Sequence, residues 1–409
     1  MPPVERLQYI ARMSKQLDVD LIIVGGGLAG TALATALRST SLRIALIEAC
    51  APIAPAHAPD TWDARVYAIS PVNQRFLNDL GVWQHLNAER LSAVQRMEIF
   101  GDADGRLAFS AYDAGLDELA WIIESGLMQD ELWQTIKRQP NLDLLCPATP
   151  ASLQVADDGV TLQLQDGRAI HARLLVAADG AKSWVREQAG LDATTTPYHE
   201  MGVVANFETE LPHHGTAWQW FRDDGVLAWL PLPGHRFSMV WSTQEAHAEQ
   251  LTKLTAEELC ERVASVGAHR LGKLKLITPP AAFPLRLMRV PRTISSRIAL
   301  IGDAAHAIHP LSGHGINLGF QDAAVLAEVL REAPPAADLG DLRILRKYER
   351  KRREEVSTLQ MATHGLQRLF QHSSTPVARL RNWGMTLTNA LPFARSLLAR
   401  YAALGPMPR

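Results

Sequence analysis

The sequence predicts an α/β fold: a Rossmann-like nucleotide-binding domain, a second domain built on an antiparallel sheet and inserted into the first, and a helical C-terminal region. Three observations predict it. Residues 20–48, "DLIIVGGGLAGTALATALRSTSLRIALIE", pass from an apolar strand through a glycine turn into a small-residue helix and on to a second apolar strand, which is one βαβ unit. Residues 200–290 change character, with aromatic strands "AWQWF", "VLAWLPLP" and "RFSMVWST" that read as an antiparallel sheet. From residue 298 the chain returns to the first pattern, an apolar strand, a polar glycine-rich turn and an apolar helix.

The elements between follow in order. Pro and Ala crowd residues 50–60, a surface loop, and a helix is predicted over 71–80 with Gly81 at its end. Residues 151–178 hold "SLQV", "VTLQL" and "AIHARLLVAA", separated by Asp-Asp-Gly and Gln-Asp-Gly turns, so an antiparallel hairpin set leads back to the main sheet. A helix is predicted near 255–267, and after Pro335 the chain reads as helical to its end. The predicted division is 18–195 with 290–335 for the nucleotide domain, 196–289 for the inserted domain and 336–409 for the helical region.

Composition narrows the function classes. The chain has 409 residues, 47% hydrophobic and 21% charged, which is ordinary for globular proteins and ample for a core. A formal net charge of −2 gives no pull toward nucleic acid. The three cysteines, Cys50, Cys146 and Cys260, form no metal-ligand spacing and read as core thiols in a reducing compartment. No apolar run approaches the ~20 residues that span a bilayer, and the first residues lack a signal-peptide core, so a cytoplasmic location is expected.

Chemistry enters through three glycine-containing turns. Gly25, Gly27 and Gly30 match GxGxxG, with Leu28 and Ala29 between the last two; glycine lets the backbone approach a pyrophosphate, and the helix start offers free N–H groups. Glu48, at the end of the next strand, is spaced to accept from an adenosine ribose hydroxyl. A second apolar strand ends at Asp179-Gly180, where Asp179 reads either as a cofactor contact or as a helix cap. A third ends at Gly302-Asp303, followed by Gly313, Gly315 and Gly319; a helix starting near Gly315 aims its dipole at a developing anion. An adenosine end, a pyrophosphate, a polyol chain and an electron-accepting ring describe FAD rather than NAD as the resident cofactor.

These residues resemble the single-component flavoprotein aromatic hydroxylases. Within that class the chain is similar to the ubiquinone-biosynthesis FAD-dependent monooxygenases, on "DARVYAIS", "LAWIIESGLMQDELW", "ADGAKSWVR" and "GDAAHAIHPLSGHGINLGFQDA", a likeness over residues 18–405. The resemblance implies a Rossmann-like FAD-binding domain with an inserted substrate domain. It also implies hydroxylation of a polyprenylated phenol with NAD(P)H, as a transient co-substrate, and O2, through a flavin hydroperoxide. By resemblance Arg65 and Gln129 contact the cofactor, Asp303 the ribityl chain, and the segment from Pro310 through Gly313, Gly315, Ile316 and Asn317 the flavin ring. His309, Pro310 and His314 are expected to face ring or substrate; His314 stands where the family usually has Gln, and imidazole can ionise near neutral pH.

Competing readings stay in view. His306 and His309 lie three apart, but no carboxylate cluster or HExxH pattern supports a metal, so none is expected. Trp218, Trp220, Trp229 and Trp241 read as core or as the wall of a planar pocket. The run Arg346 to Arg353, interleaved with Glu349, Glu354 and Glu355, reads as a solvated helix face. Met385, Leu387, Leu391, Phe393, Leu397, Leu398, Tyr401 and Leu404 recur at helical spacing, either packed on the body or docking on a membrane or partner. The expected partners are thus an aromatic substrate, O2, a quinone-biosynthesis complex and a peripheral contact at the inner membrane. Two further readings are a flavoprotein hydroxylase of a soluble aromatic acid, and a flavin-bound scaffold in a quinone-biosynthesis complex.

Overall fold

The computed structural model describes residues 16–54, 61–102, 105–308 and 315–371, with isolated residues from Asn382 to Arg400. The runs LIIV, IALI, LLVA and IAL are buried throughout, as strands of a parallel sheet covered on both faces must be. They form a six-stranded sheet in the order Ile294–Ser295, Ile298–Leu300, Leu174–Ala177, Leu21–Val24, Ile44–Ile47, Leu142–Leu145, parallel except for the short first strand. The chain runs outward from Leu21–Val24 in one direction and later returns to its other side at Leu174–Ala177. That reversal is a topological switch point, where ligands of open α/β sheets bind beyond the carboxyl ends of the strands.

Alternate residues of the central strand feed two cores. Leu21 and Ile23 pack with helices Leu28–Ala36, Ser125–Lys137 and Gly315–Arg331, whereas Ile22 and Val24 face the hairpin set. The hairpin set comprises Pro150–Val155, Val160–Leu164 and Ala169–Ala172, joined at its edge by Gln16–Asp18. The helix Pro71–Asp79 begins at the Ser70 cap with Pro71 in its first turn and ends before Gly81 at φ +73°.

The largest sheet is antiparallel for most of its width: His306–Ala307, Ala281–Arg289, Thr194–Thr209, Arg236–Gln244, Gly225–Leu232 and Thr216–Arg222 in order. Arg96–Phe100 and Arg106–Ser110 continue it, the former pairing in parallel with Thr216–Arg222. These two strands lie in sequence within the segment assigned to the nucleotide domain, and pairing between such distant segments has no local periodicity to announce it. Val203, Ala205, Phe207, Trp229, Phe237, Met239 and Trp241 form the core between this sheet and the helices Glu245–Lys253 and Ala256–Val266. Trp218, Trp220, Trp229 and Trp241 are all buried there, so of the two readings the structure gives core.

Two other expectations change. Only Cys260 is buried; Cys146 is half-buried and Cys50 exposed. The basic run does lie on a helix, Leu342–Gln371, with Arg346, Lys347, Arg350, Lys351 and Arg353 exposed, but Arg352 is turned inward and buried. Most of the apolar residues between Met385 and Leu404 lie outside the described residues; Asn382 and Asn389 accept from the backbone N–H groups of Gly105 and Ala108.

Candidate functional site

The parallel register brings the sequence motifs together. Val24, Ile47, Ala177 and Leu300 stand at the carboxyl ends of four adjacent strands, so Gly25, Glu48, Ala178-Asp179 and Gly302-Asp303 emerge along one sheet edge. The first turn is tight: a Cβ at Gly25, where φ is +108°, would lie 2.3 Å from the Ala178 carbonyl oxygen, and one at Gly30 would lie 2.0 Å from the Gly25 oxygen. On the other side a Cβ at Gly302 would lie 3.1 Å from the Ala29 Cβ, and one at Gly319 would lie 3.4 Å from the Gly302 Cα. The fingerprint turn therefore touches both other motifs.

What these turns leave open decides whether they fit FAD. Among the described residues, a Cβ at Gly27, Gly180 or Gly315 would meet no atom within 4 Å. Gly27 begins the first helix, whose earliest internal bond is Thr31 N–H to Gly27 O at 3.0 Å, so the N–H groups of Leu28, Ala29 and Gly30 have no acceptor within the helix. Beside them the Glu48 carboxylate accepts from Gly26 N–H at 2.6 Å and Cys50 N–H at 3.0 Å, and Gln129 donates to the Gly26 oxygen at 2.8 Å. Backbone donors with a helix dipole, an acid at the neighbouring strand end and a bare glycine face fit the diphosphate and ribose of FAD.

Arg65 and Asp303 are both exposed. Tyr67 feels both charges, with the Arg65 guanidinium carbon 5.3 Å from its ring centroid. Burial pushes the Tyr67 phenol up, with Arg65 and Asp303 acting in opposite senses, so the hydroxyl stays protonated at neutral pH. Sequence reasoning missed Tyr67; its one signal was its place two residues after Arg65 within "DARVYAIS". The loop before it is fixed by a half-buried ion pair: Arg90 Nε donates to Glu124 at 2.7 Å, and Glu124 accepts the Asp63 N–H at 2.7 Å.

Asp179 braces a helix start whose N-cap is Ser183, the Ser183 Oγ accepting from Arg186 N–H at 3.0 Å. Asp179 accepts from Ser183 Oγ at 2.5 Å and Val185 N–H at 3.0 Å at the start of helix Trp184–Gln188, and burial raises its carboxyl despite these bonds. Asn317, expected at the flavin ring, commits its side chain elsewhere. Its Oδ1 accepts from Ser70 N–H at 2.9 Å and Asn73 Nδ2 at 2.8 Å, and its Nδ2 donates to Ala68 O at 2.7 Å, so its side chain ties the helix to the Val66–Ile69 strand. Gly315 and Ile316 are the first described residues of helix Gly315–Arg331. His309, Pro310, Gly313 and His314 lie outside the described residues. Among the described residues no three His, Cys, Asp or Glu side chains gather as metal ligands.

Comparison with known proteins agrees with this geometry. Residues 18–363 match the model of an FAD binding domain. The chain is 34% identical to the ubiquinone hydroxylase UbiL of Rhodospirillum rubrum, over 95% of this chain and 91% of that one. It is 31% identical to the 3-demethoxyubiquinol 3-hydroxylase of Escherichia coli K12, over 94% and 98% respectively. Among solved structures, the p-nitrophenol 4-monooxygenase PnpA of Pseudomonas putida DLL-E4 superposes with a TM-score of 0.77, covering 97% of this chain and 100% of that one at 17% identity. PqsL, a probable FAD-dependent monooxygenase of Pseudomonas aeruginosa, gives 0.74 over 91% and 100% at 21% identity. The structural likenesses establish the fold, and the sequence matches with the convergent glycine turns establish the rest: the chain belongs to the FAD-dependent monooxygenases of ubiquinone biosynthesis.

Proposed function

We propose that this chain hydroxylates the aromatic ring of a polyprenylated phenol, an intermediate of ubiquinone synthesis, consuming O2 and NAD(P)H and releasing water and NAD(P)+. The observation that carries the reading is the reach of the match: relatives named for ubiquinone-type substrates align with 94–95% of the chain, the large second sheet included. Bound FAD supplies the ring that takes hydride from the nicotinamide and passes electrons to O2.

The protein's part is to bind, orient and exclude water. In this reading the N–H groups of Leu28, Ala29 and Gly30 hold the diphosphate and Glu48 a ribose hydroxyl. Arg65, Gln129 and the Asp179-Gly180 turn line the cofactor, Asp303 holds the ribityl hydroxyls, and the backbone of Gly315, Ile316 and Asn317 faces the ring. Pro310 and Gly313 belong to the same ring-facing segment, and His309 and His314 are assigned to ring or substrate. The division we propose gives 18–195 with 290–335 to FAD, 196–289 to substrate and 336–409 to the C-terminal region; Arg96–Ser110 is shared, since its strands extend the substrate sheet. No helix among the described residues is long and apolar enough to cross a membrane. A prenylated substrate resides in a bilayer, so peripheral contact at the inner membrane and attachment to a quinone-biosynthesis complex are part of the proposal.

Mass spectrometry of the quinone pool in cells lacking the gene tests this reading. Accumulation of a prenylated phenol one hydroxyl short is expected, restored by wild type and not by Asp303→Ala; an unchanged pool would contradict it.

A further inference from the structure

The Gly302-Asp303 turn is gripped from its buried side by a carboxylate that the cofactor reading does not use. The parallel ladder ends with Ile301 N–H on Ala177 O at 2.9 Å, and Gly302 then adopts φ +58°, which turns its N–H out of the ladder. That N–H donates to Asp322 Oδ2 at 2.9 Å. The same oxygen accepts from His306 Nε2 at 2.6 Å, and Asp322 Oδ1 accepts from Arg352 Nε at 2.7 Å. All three side chains are 5% exposed or less. Arg352 stands on the long helix Leu342–Gln371, where it also reaches Leu318 O and Glu355. On the other side of the turn Arg186 donates to Ala304 O at 2.9 Å. Residues 302 and 304 are thus held by buried side chains, and the exposed Asp303 side chain is presented between them.

We propose that Asp322 is the positioning residue of this turn, held in place by His306 and Arg352, so that the long helix governs cofactor retention without touching the cofactor. The proposal rests on the reading of Asp303 as a cofactor contact. A carboxylate with three donors, two of them side chains that can carry positive charge, has one place to sit, and the Gly302 N–H is referenced to that place. Hydrogen bonds weaken steeply outside a narrow range of distance and angle, so a displaced turn loses whatever Asp303 binds even while the strand beneath stays folded.

The test is titration of the apoprotein with FAD, followed by quenching of flavin fluorescence, beside the thermal midpoint of each variant. Asp322→Asn and Arg352→Met are expected to raise the FAD Kd at least tenfold, and Arg352→Lys to recover most of the loss. Tyr348→Phe is the control: it removes another buried bond from the long helix to the same strand, the phenol on Leu300 O at 2.7 Å. It is expected to lower the midpoint and leave the Kd within twofold. Wild-type affinity in Asp322→Asn and Arg352→Met would overturn the proposal, as would affinity losses that simply track the midpoint across all variants, Tyr348→Phe included. Should Asp322→Asn fail to fold, the Arg352 pair decides by the same criterion. Asp303→Ala separates the layers: unchanged affinity there sinks the reading of the turn itself, whereas loss there with none in Asp322→Asn sinks only the positioning role.

Discussion

At the scale of single residues, the glycines of the fingerprint do two different jobs, and substitution tells them apart. Gly30 has no room, because its Cβ would press on the Gly25 carbonyl at 2.0 Å, backbone that cannot yield. Gly30→Ala is expected to cost about 1–3 kcal/mol of stability, as overpacking does, and to lose FAD with the turn. Gly27 faces open space, so Gly27→Ala is expected to fold with a thermal midpoint within a few degrees of wild type and yet bind FAD at least tenfold more weakly. Parallel thermal and FAD titrations check the pair; equal FAD affinity in Gly27→Ala and wild type would remove the diphosphate from this turn. Asp322 adds a pH dependence. Burial alone would raise its carboxyl, but His306 and Arg352 override burial and leave it below the ordinary range. A depressed folded value means the contribution is present above the unfolded pKa of about 3.9 and lost as pH falls through the lower folded value. The thermal midpoint of wild type should therefore fall on acidification below about pH 4 more steeply than that of Asp322→Asn, which starts lower at neutral pH.

Among the elements, the βαβ unit, the hairpin set, the aromatic strands and the helix after Thr255 were legible because each carries a local period or turn signal, and Thr255 with Glu258 closes a capping box there. The site was legible wherever it depends on short motifs at strand ends: Gly25, Glu48, Ala178-Asp179 and Gly302-Asp303 reach one edge because parallel strands in register must align their ends. Pairings across long stretches of chain were not legible. Nothing near Arg352 distinguishes it from the exposed Arg350 and Arg353; only the fold turns it to Asp322, thirty residues away. Asn317 sits inside the family motif, but its side chain answers Ser70 and Asn73 from the other end of the chain. The second sheet has a comparable hidden constraint. A Cβ at Gly267 would stand 1.9 Å from the buried Trp229 ring, so Gly267→Ala is expected to cost about 1–3 kcal/mol while FAD affinity holds. Denaturant unfolding followed by tryptophan fluorescence checks the first part and FAD titration the second.

For the whole molecule, the parallel sheet gathers the cofactor motifs at its switch point, and the large antiparallel sheet adds a second body of core on its own helices. The long helix from Leu342 links its buried Tyr348 and Arg352 to the strand and turn that end in Asp303. Such an arrangement suits a reaction whose hard chemistry belongs to the cofactor and whose selectivity belongs to the protein around it. The central claim, FAD-dependent hydroxylation of a prenylated phenol, meets its most direct test in one incubation: FAD-loaded protein, NAD(P)H, a prenylated phenol in detergent micelles and isotopically heavy O2, with the product weighed by mass spectrometry. One heavy oxygen atom is expected in a new ring hydroxyl, formed in step with nicotinamide oxidation. Nicotinamide oxidation that yields only hydrogen peroxide, or a product whose oxygen comes from water, would contradict it.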